Sequence, residues 1–260
     1  MCSSDLAVLI FGQILNASIG LSVYALSKTL LKDWRLAAFA GLLTSFATMM
    51  PAYYLSWGRY TLLTGVLLLP LAMSEGVQLS SQKKHRLPDY IPFIILTAGT
   101  LLAHYFAAML LAFFLVILAS WQLLLSKANF SETIPRLIKL SLAAGFALLI
   151  SSPWLLRVAG NTNMTVTPNV SIPSSLQAYF AYPEKWDYVK QLLGPDSGLL
   201  LSPMALIAII LCLWDPNKRA FATWSLALML MALPWGLQLG SFRSDHFVIV
   251  LFLPISILSA

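Results

Sequence analysis

The chain of 260 residues is 59% apolar by count and only 10% charged, with a mean hydropathy of +0.80. A water-soluble domain carries about 25% charged residues because its surface faces water, so this composition excludes one and makes the bilayer the solvent. The formal charge of +6 does not point to nucleic acid, because the basic residues sit in short loops between apolar blocks and not along one face.

Taken from the N-terminus, Met1-Cys2-Ser3-Ser4-Asp5-Leu6 has no basic n-region and no helix cap before the apolar run that follows. Residues 1–6 read as a non-native linker, and residues 7–260 as a transmembrane domain. The run that begins near Phe247 is still open at Ala260, which gives the expectation of a fragment truncated at both ends. Nine apolar blocks follow, at about 7–26, 36–50, 61–78, 91–103, 105–126, 138–152, 199–214, 220–238 and 247–260. They predict an all-α, polytopic transmembrane helix bundle of about nine spans. Several blocks fall short of the ~20 residues of a full span, so kinked or half-length helices are expected among them. Cys2 and Cys212 have no metal-ligand spacing, and Cys212 lies inside an apolar block as a small residue at lipid depth.

Lysine and arginine alternate from loop to loop. Lys28, Lys32, Arg35, Lys83, Lys84, Arg86, Lys127, Arg136, Lys139, Lys218 and Arg219 occupy one set of loops, and only Arg59, Arg157, Lys185, Lys190 and Arg243 the other. The first set is expected to be cytoplasmic, and the loops near 51–61, 152–199 and 239–246 extracytoplasmic, in a multi-pass protein of the cell membrane. The tryptophans follow the same pattern. Trp34, Trp121, Trp214 and Trp224 fall near cytoplasmic ends, and Trp57, Trp154 and Trp235 near exterior ends, as interfacial belts require. The long loop 152–199 holds Trp186 within Pro183–Leu193, whose apolar residues share one helical face; a short helix on the membrane surface is expected there.

Polar residues at the exterior ends carry the chemical interest, because ionisable groups near hydrocarbon are costly. The first cluster, Pro51 to Tyr60, packs Tyr53, Tyr54, Trp57 and Tyr60 around Gly58 and Arg59. Arginine offers a planar fork of donors suited to phosphate, and flanking aromatics suit an isoprenoid chain or a sugar ring. An aromatic belt with a snorkelling arginine fits equally well. In the second cluster, Leu101 to Tyr105, His104 marks a helix-helix turn. It is suited to donating to phosphate or moving a proton, or else to capping backbone groups freed at the break. The third cluster, Ser241 to Phe247, brings Arg243, Asp245 and His246 to the start of the ninth block. An anion site and an ordinary charged loop are the two readings. Glu184, Asp187 and Asp196 lack metal-ligand spacing, Asn163-Met164-Thr165 matches a glycosylation sequon, and Pro70, Pro135 and Pro234 mark kinks or helix ends.

The segments Met50 to Thr61, Leu102 to Tyr105 and Arg243 to Phe247 together resemble those of the GT-C superfamily, polytopic membrane glycosyltransferases that use lipid-phosphate-linked sugars. The resemblance implies transfer of a sugar from a polyprenyl-phosphate donor to an acceptor on the extracytoplasmic face. It implies Arg59, His104, Arg243 and His246 as donor-phosphate residues, and Tyr53, Tyr54, Trp57 and Tyr60 as substrate-binding residues. Family members activate the acceptor with an acid in the first exterior loop. That loop would precede this sequence, which leaves the catalytic acid unknown and a divalent metal an open question. The expected partners are the lipid bilayer and a polyprenyl-linked sugar. A transporter or flippase is one rival, although the spans carry few ionisable groups beyond Glu75. An O-antigen-ligase-like enzyme is a second, and a purely structural membrane subunit a third.

Overall fold

A computed structural model describes residues 3–81, 86–125, 130–161, 195–233 and 244–260. Among the described residues the chain is all helix and turn. Helix α1 spans Ser3–Leu31, α2 Trp34–Leu42 and continues through a π turn at Leu43–Ala47, α3 Ala52–Ser56 and α4 Tyr60–Ser81. A 3-10 turn at Leu87–Tyr90 leads into α5, Ile91–Ala103, followed by α6, Tyr105–Leu125, and α7, Phe130–Asn161. Then come α8, Pro195–Trp214, α9, Arg219–Ala232, α10, Ser244–Val248, and α11, Phe252–Leu258.

Four of these segments are long and apolar enough to cross a bilayer, Leu6–Leu31, Tyr60–Ser81, Tyr105–Leu125 and Phe130–Val158. At 1.5 Å per residue the 21 residues of α6 reach about 32 Å, the thickness of a hydrocarbon core. The chain is therefore built as a multi-pass membrane protein.

Lipid tails are as apolar as leucine, so helices in a membrane associate by close packing more than by escape from solvent. Helices α1 and α2 cross where Gly20 faces Gly41, and a Cβ on Gly41 would stand 2.7 Å from the Gly20 carbonyl oxygen. Helix α4 lies centrally, packed on α1, α5 and α6. The most enclosed segment is the last. Every residue from Phe247 to Leu258 is buried, because a stretch that is apolar all round has no face to turn to water or headgroups and is enclosed by α1, α2, α8 and α9. Helix α7 is the opposite case. Its Ile138, Leu142, Phe146, Leu149 and Leu156 are exposed in a stripe at spacings of three, four and seven residues, the mark of a lipid-facing surface.

Two expectations change in detail. The segment 127–139, read as a loop, is helical from Phe130 onward. Its Ser131, Glu132, Arg136 and Lys139 extend α7 as a polar first stretch, with Glu132 in the first turn where the helix dipole favours an acid. Trp224, expected at an interface, is wholly buried and donates its Nε1–H to the Leu110 carbonyl at 3.2 Å. Trp34, Trp57, Trp154 and Trp214 are exposed, as belt residues are.

Candidate functional site at the Arg59 end

The aromatic turn between α2 and α4 is shaped by one glycine. Helix α3 is a single turn, and Gly58 follows it with a φ of 65°, the left-handed region that a residue without Cβ enters freely. The Gly58 N–H reaches the Leu55 carbonyl at 3.1 Å and the Arg59 N–H reaches the Tyr54 carbonyl at 2.9 Å. This nested pair satisfies the last carbonyls of α3 and reverses the chain. The Arg59 carbonyl then accepts the Leu63 N–H at 2.9 Å, so Arg59 opens the 22-residue α4 at its electropositive end. Its exposed guanidinium lies 4.9 Å over the Trp57 ring, and Trp57 stacks on Tyr53 with 5.6 Å between centroids and 3° between planes. The aromatic pair holds the arginine in place without neutralising it.

His104 sits between α5 and α6 with extended backbone, φ −161° and ψ 127°. Its carbonyl accepts the Ala108 N–H, and its ring Nδ1 accepts the Phe106 N–H at 3.2 Å. The imidazole is thus the N-cap of α6, satisfying one of the four backbone donors that a helix N-terminus leaves without an intrahelical partner. With Nδ1 accepting, the ring proton is on Nε2, which is left to donate. Burial, reinforced by the charges of Arg59 and His246, pulls the His104 pKa below the ordinary histidine value. The ring is neutral at pH 7.

The N-termini of α4 and α6 lie side by side. Gly65 allows it, since a Cβ there would come 2.9 Å from the Ala107 Cβ and 3.1 Å from the His104 Cβ. Helix α10 completes the group, with the His246 ring edge-on to Phe106 at 5.9 Å and its Nδ1 3.3 Å from Asp245 Oδ1. That oxygen is buried and makes no hydrogen bond among the described residues. Tyr54 ties the two halves of the site together. Its ring is fully buried and its hydroxyl donates to the Ile249 carbonyl at 2.7 Å, just beyond α10.

Of the residues singled out in the sequence, Arg59, Trp57, Tyr53, His104 and His246 gather at this end. Tyr54 is present as a buried tie and offers no open ring. Tyr60 turns its ring onto Gly12 of α1. Arg243, the surface helix expected at 183–193, the sequon at Asn163 and Pro234 lie outside the described residues. Among the described residues no group of three His, Cys, Asp or Glu converges as a metal cluster would. The amino-acid pattern carried no sign that the Asp245 oxygen is buried. It also did not show that Lys28, Lys32, Glu75 and Arg136 line one cavity at the opposite end of the bundle, since those cations carried only a topology signal.

No curated protein and no solved structure matches the chain. Residues 17–238 match the model of a family of unknown function, DUF6541. That match spans well over half of the chain, and the protein accordingly belongs to the DUF6541 family.

Proposed function

We propose that this protein is a membrane glycosyltransferase of the GT-C kind, moving a sugar from a polyprenyl-phosphate donor to an acceptor on the extracytoplasmic face. In this reading the bundle crosses the membrane nine times, with the lysine-rich loops in the cytoplasm and the Arg59 end outside. The observation that carries it is the convergence of Arg59 and the N-termini of two helices, one capped by a neutral histidine. Backbone dipoles, a guanidinium fork and an Nε2–H donor are the groups an anion requires.

The chemistry follows from where charge develops. An acceptor hydroxyl attacks the anomeric carbon as the bond from that carbon to the phosphate oxygen breaks. The electron pair departs on the polyprenyl phosphate, and the hydroxyl proton passes to a base. Arg59 and the Nε2–H of His104 stabilise the departing phosphate, whose charge grows in the transition state. The Tyr53–Trp57 stack provides an apolar surface for the isoprenoid chain or a sugar face.

The test is transfer from a polyprenyl-phosphate-linked sugar by the full-length protein in membranes. Arg59→Ala should lower turnover by about tenfold or more, the worth of a charge-assisted hydrogen bond, while Arg59→Lys recovers only part of it. Unchanged transfer in Arg59→Ala would remove the donor site. Movement of the intact lipid-linked sugar across the bilayer with no transfer would favour the flippase reading.

A further inference from the structure

At the end of the bundle remote from Arg59, the last turns of α1, α4 and α6 and the first turns of α7 surround an open cavity of about 970 Å³. Its walls differ sharply in character. Leu71, Leu96, Leu118 and Leu125 make an apolar side. The Thr29 and Ser74 hydroxyls, 2.7 Å apart, and the Gln78 amide, 3.2 Å from Ser74, make a polar floor. Among the described residues that line it, Lys28, Lys32 and Arg136 stand against a single carboxylate, Glu75.

The cations are placed in three different ways. Lys28 lies in the last turn of α1 and Lys32 immediately follows that helix, and both line the cavity. The Arg136 guanidinium donates from Nε to the Glu132 carbonyl at 3.0 Å and from Nη1 to the Ser80 carbonyl at 3.4 Å, and its fork has five N–H groups in all. Among the described residues no cation comes within 4.0 Å of Glu75, so the positive charge of the cavity is not cancelled by a direct ion pair.

Lys32 adds an independent observation. It closes α1 in the left-handed conformation, φ 58°, with its N–H on the Lys28 carbonyl at 3.1 Å. Glycine or asparagine suits that position, and a lysine is strained there. Residues held in that region cluster at binding sites. Here the conformation places an ammonium at the cavity.

We infer that this cavity binds a phosphate group, held by Lys28, Lys32 and Arg136 over the Thr29–Ser74–Gln78 floor. The phosphate belongs to the headgroup of an anionic phospholipid or to a free phosphorylated compound. A lipid would lay its chains along the leucine wall. The site is separate from the Arg59 end and does not depend on the function proposed for it.

The test uses the full protein in nanodiscs of phosphatidylcholine alone or mixed with phosphatidylglycerol, with co-purifying lipid counted by native mass spectrometry. Phosphatidylglycerol should be enriched over phosphatidylcholine, and Lys32→Gly and Lys28→Gln should each reduce the enrichment about fivefold. Lys32→Gly is the decisive variant, because glycine relieves the left-handed strain and thermal stability should hold or rise while binding falls. A parallel arm titrates glycerol phosphate and follows the melting temperature. Stabilisation by glycerol phosphate that Lys32→Gly abolishes, without lipid enrichment, supports the site with a soluble ligand. Absence of both, or binding that both variants leave unchanged, overturns the inference.

Discussion

Arg59 and Lys28 are both cations at helix termini, but the helices present opposite poles to them. Lys28 lies in the last turn of α1, where the partial negative charge of the carbonyls favours it by about 0.3–1 kcal/mol. Arg59 opens α4, where the N–H groups are already positive and a cation is disfavoured by a similar amount. An anion relieves the Arg59 end and merely adds to what the Lys28 end already has. The lesson is that equal charges at two ends of one bundle do not imply equal ligands. At the Arg59 end the pull on an anion comes from two helix N-termini, the Arg59 guanidinium and the His104 Nε2–H. At the Lys28 end it comes from three side chains around a cavity, one of them on strained backbone.

Four changes would sharpen or break this contrast. Tyr54→Ala has the largest expected effect, since it empties a fully buried ring site and removes the hydroxyl from the Ile249 carbonyl. A loss of roughly 3–5 kcal/mol in unfolding free energy is expected, with Tyr54→Phe losing only about 1 kcal/mol. A stable Tyr54→Ala would mean that the Arg59 end is not the rigid frame described above. His104→Ala comes next, costing about 1 kcal/mol for the lost N-cap of α6. His104→Asn should restore that stability, because asparagine caps equally well, while leaving phosphate binding impaired.

A pH titration of stability is the third. The folded His104 pKa is depressed from its ordinary 6.5, so the unfolded chain takes up the proton first. Its contribution is therefore complete above about pH 6.5 and is lost as the pH falls from there through the folded value. Unfolding measured across this range should show a slope that His104→Asn flattens. The smallest effect belongs to the Lys28 end. Lys218 and Asp215 form a partly exposed pair at 3.2 Å, and Asp215→Asn should shift stability by no more than about 0.5 kcal/mol.

Much of this architecture is legible in the sequence because the bilayer imposes it. Runs of apolar residues must be helical, and the short run before His104 had to end in a break, since thirteen residues of α5 cover only about 20 Å. The capping role of His104 follows from the same constraint. What hydropathy does not encode is the partner of each apolar face. Residues 247–258 and the stripe of α7 from Ile138 to Leu156 read alike, yet one is enclosed and the other meets lipid. Trp224 misleads for the same reason, since its place near a helix end in sequence says nothing of the α6 carbonyl waiting inside. The candidate site is half legible. Arginine, histidine and aromatics stand out in oily sequence, but the meeting of Arg59, His104 and His246 depends on Gly65 and Gly58, and neither carries a chemical signal. The cavity at the other end was hidden because its lysines already had an explanation in topology.

Side-specific labelling reaches the central claim most directly. A Ser56→Cys variant, with Cys2 and Cys212 replaced by serine, places one exposed thiol beside Trp57, and a membrane-impermeant maleimide is then applied to intact cells. Rapid modification of that thiol, with a Lys32→Cys thiol modified only after the cells are opened, is the result predicted for an exterior Arg59 end. Modification of the Lys32→Cys thiol in intact cells, with protection at position 56, would contradict the account.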